Sequence, residues 1–182
     1  YLFFPYCTAD VHAGQHSAEY IPGVKLHHRG YSNVRDGLRY LAERGLVPFD
    51  QVQDLILYGA SAGGIGALAH AANVDQWVPA SAKRTLIADS PGLHFGDDFW
   101  TKFRGPMIRD LSFAFANMGV MLNMYSGNLG PQIPSMCRSL ANWDIALLQG
   151  TRDIVMSRIF GSTTPEEHEK RIYATDGMFH NT

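Results

Sequence analysis

The sequence predicts an α/β domain, a mostly parallel β-sheet with helices on both faces. Short apolar runs at residues 55–58, 85–88 and 144–149 have the pattern of strands that are buried on both sides. Stretches with helical spacing or strong helix formers lie between or before them, at residues 34–44 and 67–72. Alternating strands and helices favour parallel pairing, because a crossover helix returns the chain to the same end of the sheet. With 182 residues, the chain is long enough for one domain with a full core.

The first part of the chain contains a predicted strand and a predicted crossover helix. Residues 1–6 are apolar and aromatic, which predicts a core strand that opens the chain. Apolar residues then recur at helical spacing over 34–44, with Ser32 or Asn33 as the expected N-cap. Gly45 is expected to end this helix.

The second part departs from strand–helix alternation. Residues from about 95 to 138 are rich in Phe, Met and Asn, and they are interpreted as a helical cap insertion with a helix over 106–118. The same residues can equally be core helix, because a Met and Phe stripe is core more often than ligand-binding surface. Further along, Thr164 and Glu167 predict a capping box that opens a short helix. Residues 171–175 are expected to form the last strand.

The strongest signal for chemistry is the segment Gly59-Ala-Ser-Ala-Gly63, which matches the pattern Gly-x-Ser-x-Gly. It follows a predicted strand and precedes a predicted helix, which is the context of a nucleophile elbow. Such a turn strains the backbone at Ser61, and Gly59 and Gly63 are expected to avoid a Cβ where strand and helix approach. The helix N-terminus then points at Ser61, so the N–H of Ala62 is the expected oxyanion donor.

The order of residues after Ser61 fits a catalytic triad. The order expected in an α/β-hydrolase-like fold is serine, then acid, then histidine. Asp153 follows the strand at 144–149, and His180 follows the strand predicted at 171–175. His180 can accept the serine proton near neutral pH, and Asp153 can orient the imidazole. The alternative is that Asp153 is a turn residue or an ion-pair partner of Arg152 and that His180 is a surface residue.

Other acids and bases remain as rivals. Asp89 also ends a strand, but one strand earlier than the usual order requires, so it ranks second as the acid. Asp176 is close to His180 in sequence but shares its loop. His70 lies nine residues along the helix from Ser61, about 13 Å of rise, which excludes it as the base. His94 follows the strand that ends at Asp89 and is a weak alternative to His180 as the base.

A loop after residues 1–6 carries further candidates. Asp10 and His12 either line a pocket at the carboxyl end of the sheet or serve locally, with Asp10 as a loop cap or Asx-turn. Asp89 is a second possible pocket residue. His16 is interpreted as a solvated side chain.

Composition excludes several functional classes. A net charge of −2 gives no reason to expect a nucleic acid or an anionic membrane as partner. No apolar run approaches the length of a membrane span.

The two cysteines, Cys7 and Cys137, can form one disulfide or remain thiols, and their spacing does not resemble that of a zinc site. A chain that opens on Tyr1 and stops at Thr182 is expected to be a single-domain piece cut at both ends.

Several segments together resemble the pectin acetylesterase/Notum carboxylesterase family. Pro5-Tyr-Cys-Thr-Ala-Asp-Val-His-Ala-Gly14 is similar to its P-Y-C-(ST)-x-D-x-x-x-G signature. Gly30-Tyr-Ser-Asn33, Gly59-Ala-Ser-Ala-Gly-Gly-Ile-Gly66 and Ala88-Asp-Ser-Pro-Gly92 resemble three further motifs in the right order. These segments cover about the first half of the chain. The low cysteine count favours a bacterial-type relative.

The resemblance implies a secreted or periplasmic hydrolase that cleaves carboxylic esters with a Ser61-His180-Asp153 triad and needs no metal or cofactor. The expected substrate is an O-acetyl or other short acyl ester on a carbohydrate such as pectin. Two alternatives remain at this point. A long acyl channel lined by Phe113, Phe115, Met118 and Met121 would favour a lipase. A hydrolase-like binding protein without catalysis is the other. It is motivated by the family's Gly-Gly-x-x-Cys segment, which supplies the second oxyanion donor, would lie before Tyr1 and is absent from this sequence.

Overall fold

The computed structural model describes residues 1–96, 105–123 and 127–180. Its main sheet is parallel, with the strands in the order Asp54–Ala60, Lys83–Asp89 and Asp144–Leu148, and a separate antiparallel hairpin pairs Ser17–Ile21 with Val24–His27. The strands are β1 (Ser17–Ile21), β2 (Val24–His27), β3 (Asp54–Ala60), β4 (Lys83–Asp89) and β5 (Asp144–Leu148). The helices are α1 (Gly30–Glu43), α2 (Ala62–Asp75), α3 (Gly105–Ala116), α4 (Ile133–Ser139) and α5 (Pro165–Ile172). Short 3₁₀ turns occupy Phe49–Gln51, Gly130–Gln132 and Met178–His180, and Val155–Phe160 forms a π-helical turn.

The two faces of the main sheet differ. Leu86 and Ala88 of β4 are fully buried in a core that includes Leu68 of α2. On the other face Ile56, Tyr58 and Leu148 are 67%, 59% and 50% exposed. The described residues therefore cover one face well and leave much of the other open. The α/β class with parallel pairing is confirmed, whereas helices on both faces of the sheet are not observed in this part of the chain.

Two predicted strands are wrong. Residues 1–6 form no regular structure, and their side chains are mostly exposed. A strand exists only through hydrogen bonds to a neighbour, and no strand pairing within the described ranges includes these residues. Residues 171–175 are also not a strand, because α5 continues to Ile172 and a turn follows. An ion pair of 3.2 Å between Arg171 and Glu167, one helical turn apart, supports the helical conformation there.

Helix α1 begins earlier than its local sequence indicates. Its first residue is Gly30, and neither Ser32 nor Asn33 is the N-cap. The cap comes instead from Asp10, whose carboxylate accepts the Gly30 N–H at 2.8 Å from 20 residues away. At the other end, Gly45 adopts a left-handed φ of 61° just after the helix, as predicted.

Helix α5 has the predicted N-cap at Thr164, but the second half of the predicted capping box is not observed, since the Glu167 carboxylate accepts from Arg171 at 3.2 Å instead. The Thr164 hydroxyl accepts the Glu167 N–H at 3.1 Å, and Pro165 occupies the first turn.

In the described part of the predicted cap, the buried side chains belong to the main core, and a covering role over the site stays a prediction. Helix α3 spans 105–116, close to the predicted 106–118, but Leu111 and Phe115 lie in the main core together with Leu68 of α2. Residues 97–104 and 124–126, which the predicted cap also included, lie outside the described residues. The described portion therefore stabilises the core.

Candidate active site

The junction between β3 and α2 has the geometry of a nucleophile elbow. Ser61 has φ 53° and ψ −122°, a strained conformation that non-glycine residues rarely adopt, and its side chain is exposed. A Cβ on Gly59 would lie 1.9 Å from the Gly63 carbonyl oxygen, so strand and helix can approach only because residue 59 is glycine. The strained backbone presents the Ser61 hydroxyl to solvent at the carboxyl end of the sheet.

The role predicted for Gly63 is wrong. A Cβ at Gly63 would meet nothing within 4 Å. The close approach falls on Gly64, where a Cβ would lie 3.0 Å from the Asp89 carbonyl oxygen. The reason is that α2 begins at Ala62, which turns residue 63 toward solvent and residue 64 toward β4.

The N-terminus of α2 supplies donors next to Ser61. The Ser61 carbonyl accepts the Gly64 N–H at 2.8 Å and so closes the first turn. The N–H of Ala62 belongs to the first turn, where amides have no intrahelical partner. The Ser61 N–H donates to the Asp89 carbonyl at 2.8 Å, which attaches the elbow to the end of β4. The helix dipole adds positive potential at this end.

Asp89, the rival acid, lies one strand from Ser61. Its carboxylate accepts the Ser90 hydroxyl at 2.9 Å and the Tyr58 hydroxyl at 3.4 Å. Ser90 has a left-handed φ of 50°, and its N–H donates to the Leu148 carbonyl at 2.7 Å. Both Asp89 and Ser90 are half-buried, so they lie at the carboxyl edge of the sheet between the ends of β3 and β5.

Asp153 occupies the loop after β5, and both of its carboxylate oxygens have partners. Oδ1 accepts the N–H groups of Val155 and Met156 at 2.8 and 3.0 Å, which caps the π-helical turn. Oδ2 accepts the amide of Gln149 at 3.0 Å. The alternative ion pair with Arg152 is not formed, since the Arg152 Nε donates to Glu169 at 2.8 Å.

His180 lies in the 3₁₀ turn Met178–His180 and is exposed. The preceding turn is held in place by the Asn128 amide, which donates to the Asp176 backbone and carboxylate at 3.0 and 3.2 Å. No hydrogen bond among the described residues joins His180 to Ser61 or to Asp153. The structure therefore brings the ends of β3, β4 and β5 together and places His180 on a separate exposed turn.

Two residues near Asp153 were missed by the sequence analysis. Gln149 ends the run of β5, and an amide at the carboxyl end of a buried strand is a signal that could have identified it. His168 of α5 is 1% exposed. Burial and the neighbouring His94 lower its pKa, while the charge of Asp153 opposes them. Its position on the inner face of a short amphipathic helix gave no chemical signal.

Of the remaining loop candidates, Asp10 and His16 have structural partners, whereas His12 lines a small cavity with Phe4, Pro5, Cys7 and Thr8. Asp10 is fully buried, and its carboxylate accepts the His12 N–H at 3.1 Å in addition to that of Gly30, which favours the local interpretation as an Asx-turn and cap. His16 is not solvated: its Nδ1 lies 2.6 Å from the Asp110 carboxylate of α3. The prediction for His16 is wrong because the partner lies 94 residues away in the sequence.

His70 is a neutral core histidine. Its Nε2 donates to the His12 carbonyl at 2.7 Å, and the Asn73 amide lies 3.0 Å from Nδ1. Burial lowers the pKa of His70 to about 4. His70 is buried on α2, nine residues along the helix from Ser61.

The residues of the hypothetical acyl channel do not share one surface. Phe115 and Met118 are buried in the main core, whereas Phe113 and Met121 are 46% and 85% exposed.

Cys7 and Cys137 are free thiols, so the disulfide that the sequence left open is not formed, and Cys7 is exposed.

Within residues 1–96, 105–123 and 127–180, no helix is long and apolar enough to cross a bilayer. The same residues contain no group of three His, Cys, Asp or Glu side chains that could hold a metal ion.

Comparison with protein families identifies one match. The family described as Pectinacetylesterase matches residues 1–98, just over half of the chain. This stretch contains Asp10, the elbow at Ser61 and the turn that follows β4. No curated protein matches the chain, and no solved structure matches it.

Proposed function

Because the chain belongs to the pectinacetylesterase family, a family of acetyl ester hydrolases, we propose that it is a serine esterase whose nucleophile is Ser61. The observation that carries the proposal is the backbone of Ser61, with φ 53° and ψ −122° at the start of α2. Strain of this kind persists only where the surrounding structure imposes it, and it accumulates at functional sites. Here the Ser61 N–H donates to the Asp89 carbonyl and the Ser61 carbonyl accepts the Gly64 N–H, both at 2.8 Å, which holds this backbone in place and leaves the hydroxyl exposed.

The proposed reaction proceeds through an acyl-enzyme. The Ser61 Oγ attacks the ester carbonyl carbon while His180 takes the hydroxyl proton. The tetrahedral intermediate then loses the alcohol, which receives that proton from His180, and the acetyl group remains on Ser61. Water attacks the acyl-enzyme with His180 again as base, and acetate leaves. The Ala62 N–H faces the developing oxyanion, where one donor contributes about 3–4 kcal/mol to transition-state stabilisation.

Asp153 and His180 complete the proposed triad. Their support is the order of the chain, since Asp153 follows β5 and His180 comes later at an exposed turn. Asp153 has the partners that a triad acid needs, because two backbone N–H groups and an amide hold its carboxylate in one orientation. Asp89 is the alternative acid, and its carboxylate is engaged by Ser90 and Tyr58.

The proposed substrate is an O-acetyl ester on a carbohydrate such as pectin. A short acyl group is favoured because Phe115 and Met118, which would line a long acyl channel, are part of the core. Family members are typically secreted, so an extracellular or periplasmic location is proposed.

The first experiment is hydrolysis of p-nitrophenyl acetate and p-nitrophenyl decanoate by the full chain. Ser61→Ala should lower kcat by about a million-fold, as expected for a triad nucleophile. Ser90→Ala is the matched control, because Ser90 also follows a parallel strand with a left-handed φ. Equal turnover by wild type and Ser61→Ala would contradict the proposal. A preference for the decanoate would contradict the acetyl assignment.

A second comparison tests the acid. Asp153→Asn should lower kcat by about 10⁴-fold, since the imidazole loses its orienting carboxylate. Asp89→Asn should retain most of the activity. The reverse result would transfer the role of acid to Asp89. His180→Gln should be about as damaging as Ser61→Ala, because the base and the nucleophile act as a unit, and full activity in that variant would remove His180 as the base.

A further inference from the structure

The side chain of Gln149 bridges two loops at the carboxyl edge of the sheet. Gln149 directly follows β5. Its Oε1 accepts the Gly92 N–H at 3.0 Å, and its Nε2 donates to Asp153 Oδ2 at 3.0 Å. A longer contact of 3.4 Å joins Nε2 to the Gly150 carbonyl. One amide therefore links the turn after β4 to the carboxylate of the proposed acid.

The orientation of this amide is determined by its partners. A backbone N–H can only donate, so the atom facing Gly92 is the oxygen of Gln149. The nitrogen consequently faces Asp153, whose ionised carboxylate can only accept. Exchanging the two atoms would place two donors against each other on one side and two acceptors on the other. The bridge is thus specific for an amide that accepts from one loop and donates to the other.

The surrounding contacts connect this bridge to the elbow. Gly92 has a φ of 60°, and a Cβ there would lie 2.5 Å from the sulfur of Met156, so the turn packs directly on the π-helical turn. The Met156 N–H donates to Asp153 Oδ1. On the other side, the same turn packs on α2, where a Cβ at Gly64 would approach Asp89 and Pro91 to 3.0 and 3.3 Å.

We propose that Gln149 is a positioning residue for Asp153, holding the carboxylate of the acid in register with the Ser61 elbow through Gly92. The inference rests on the proposed function, because it assigns Asp153 as the acid. Gln149 touches neither Ser61 nor the reacting atoms and acts through Asp153 alone. Its donation to Oδ2 fixes that oxygen in one place, and the two N–H groups on Oδ1 prevent rotation of the carboxylate.

Two substitutions separate positioning from simple packing. Gln149→Met keeps the volume and removes both hydrogen bonds. Gln149→Glu keeps the shape but places a second carboxyl group against Asp153. At low pH the pair shares one proton, and the protonated carboxyl group introduced at position 149 donates to Asp153 as the amide does. At higher pH both groups ionise and repel each other.

The expected results concern turnover of p-nitrophenyl acetate by the full chain. Gln149→Met should lower kcat by about 10- to 100-fold, the usual effect of removing a group that orients an active-site residue, with a small change in KM. Gln149→Glu should be close to wild type near pH 5, and the ratio of wild-type to variant kcat should rise at least tenfold by pH 8. Gln51→Glu makes the same charge change at an exposed residue before β3 and should match wild type.

Comparing each variant with wild type at the same pH removes the contribution of groups that both share. The titratable or charged groups near the bridge in the described part of the chain include Asp89 of β4, Arg152 beside Asp153, and His168 of α5, whose own charged neighbours are His94, Asp153 and Arg171. Burial and the neighbouring His94 lower the pKa of His168, while the charge of Asp153 raises it. The urea midpoint of each variant is measured at both pH values, so that loss of folding is recognised separately.

Three outcomes overturn the inference. If Ser61→Ala abolishes turnover while both Gln149 variants stay within twofold of wild type, Gln149 does not position the acid and the proposed function stands. The inference also fails, and the proposed function stands, if the ratio of wild-type to Gln149→Glu kcat is independent of pH and changes only with the urea midpoint of the variant. If Ser61→Ala leaves turnover unchanged, the proposed function fails and the inference fails with it.

Discussion

The elbow requires that residue 59 has no Cβ, and the substitution Gly59→Ala tests this requirement directly. The added Cβ would lie 1.9 Å from the Gly63 oxygen and 2.3 Å from its carbonyl carbon. Real Cβ contacts essentially never fall below 3.0 Å, so the atoms must separate by more than 1 Å. Because both neighbours are backbone atoms of the first turn of α2, no side-chain rotation can relieve the clash.

The expected cost follows from this geometry. Overpacking typically costs about 1–3 kcal/mol, and a clash with backbone belongs at the upper end, so the free energy of unfolding should fall by about 3 kcal/mol. For a chain of this size that corresponds to a decrease in Tm of roughly 6–12 °C. Gly63→Ala is the matched control. Its Cβ meets nothing within 4 Å, and Ala is favoured over Gly within a helix by about 1 kcal/mol.

Urea unfolding followed by circular dichroism measures both variants on the full chain. Gly59→Ala should move the midpoint down and also lower kcat, because the displaced helix carries the Ala62 N–H. Gly63→Ala should leave the midpoint unchanged or raise it. A Gly59→Ala midpoint equal to that of wild type, or equal damage in both variants, would refute the reasoning.

Three further predictions concern stability. Asp10→Ala should lower the free energy of unfolding by about 3 kcal/mol, because the buried Gly30 N–H loses its acceptor; a loss below about 1 kcal/mol in urea would contradict this. Burial lowers the pKa of His70 to about 4, so the unfolded chain binds a proton between about pH 6.5 and 4 that the folded chain does not. Stability should therefore fall by about 2 kcal/mol from about pH 7.5 to pH 5, and His70→Gln should remove most of that dependence. Thr164→Ala should lower the free energy of unfolding by about 1 kcal/mol through loss of the N-cap. Its control, Thr163→Ala one residue earlier, should change the free energy of unfolding in urea by about a few tenths of a kcal/mol at most.

The features that the sequence predicts well are those that depend on near neighbours. The elbow at Ser61 follows from a strand, a glycine-rich turn and a helix within about 20 residues, and the structure contains all three. The cap at Thr164 depends on residues three positions apart and is likewise found. Both are determined by sterics and hydrogen bonds within one or two turns of chain.

The features that were missed depend on distant partners. The start of α1 is set by Asp10, and His16 is held by Asp110, which lies 94 residues away. The amide of Gln149 gains its significance only when the loops after β4 and β5 meet. Residues 1–6 have a strand-like composition, but composition does not provide a hydrogen-bonding neighbour. Long-range partners of this kind carry no periodic signal in a single sequence.

The cap that Asp10 provides for α1 also has a consequence for the order of folding. A helix with its own N-cap can begin to form as soon as its residues are available, but α1 obtains its cap only after the chain between residues 10 and 30 has closed into a loop. Closure of that loop has an entropic cost that helix hydrogen bonds alone do not offset at this length. Helix α1 should therefore form together with the loop and the β1–β2 hairpin inside it, as one cooperative unit, and a peptide of residues 29–45 alone should remain largely unfolded.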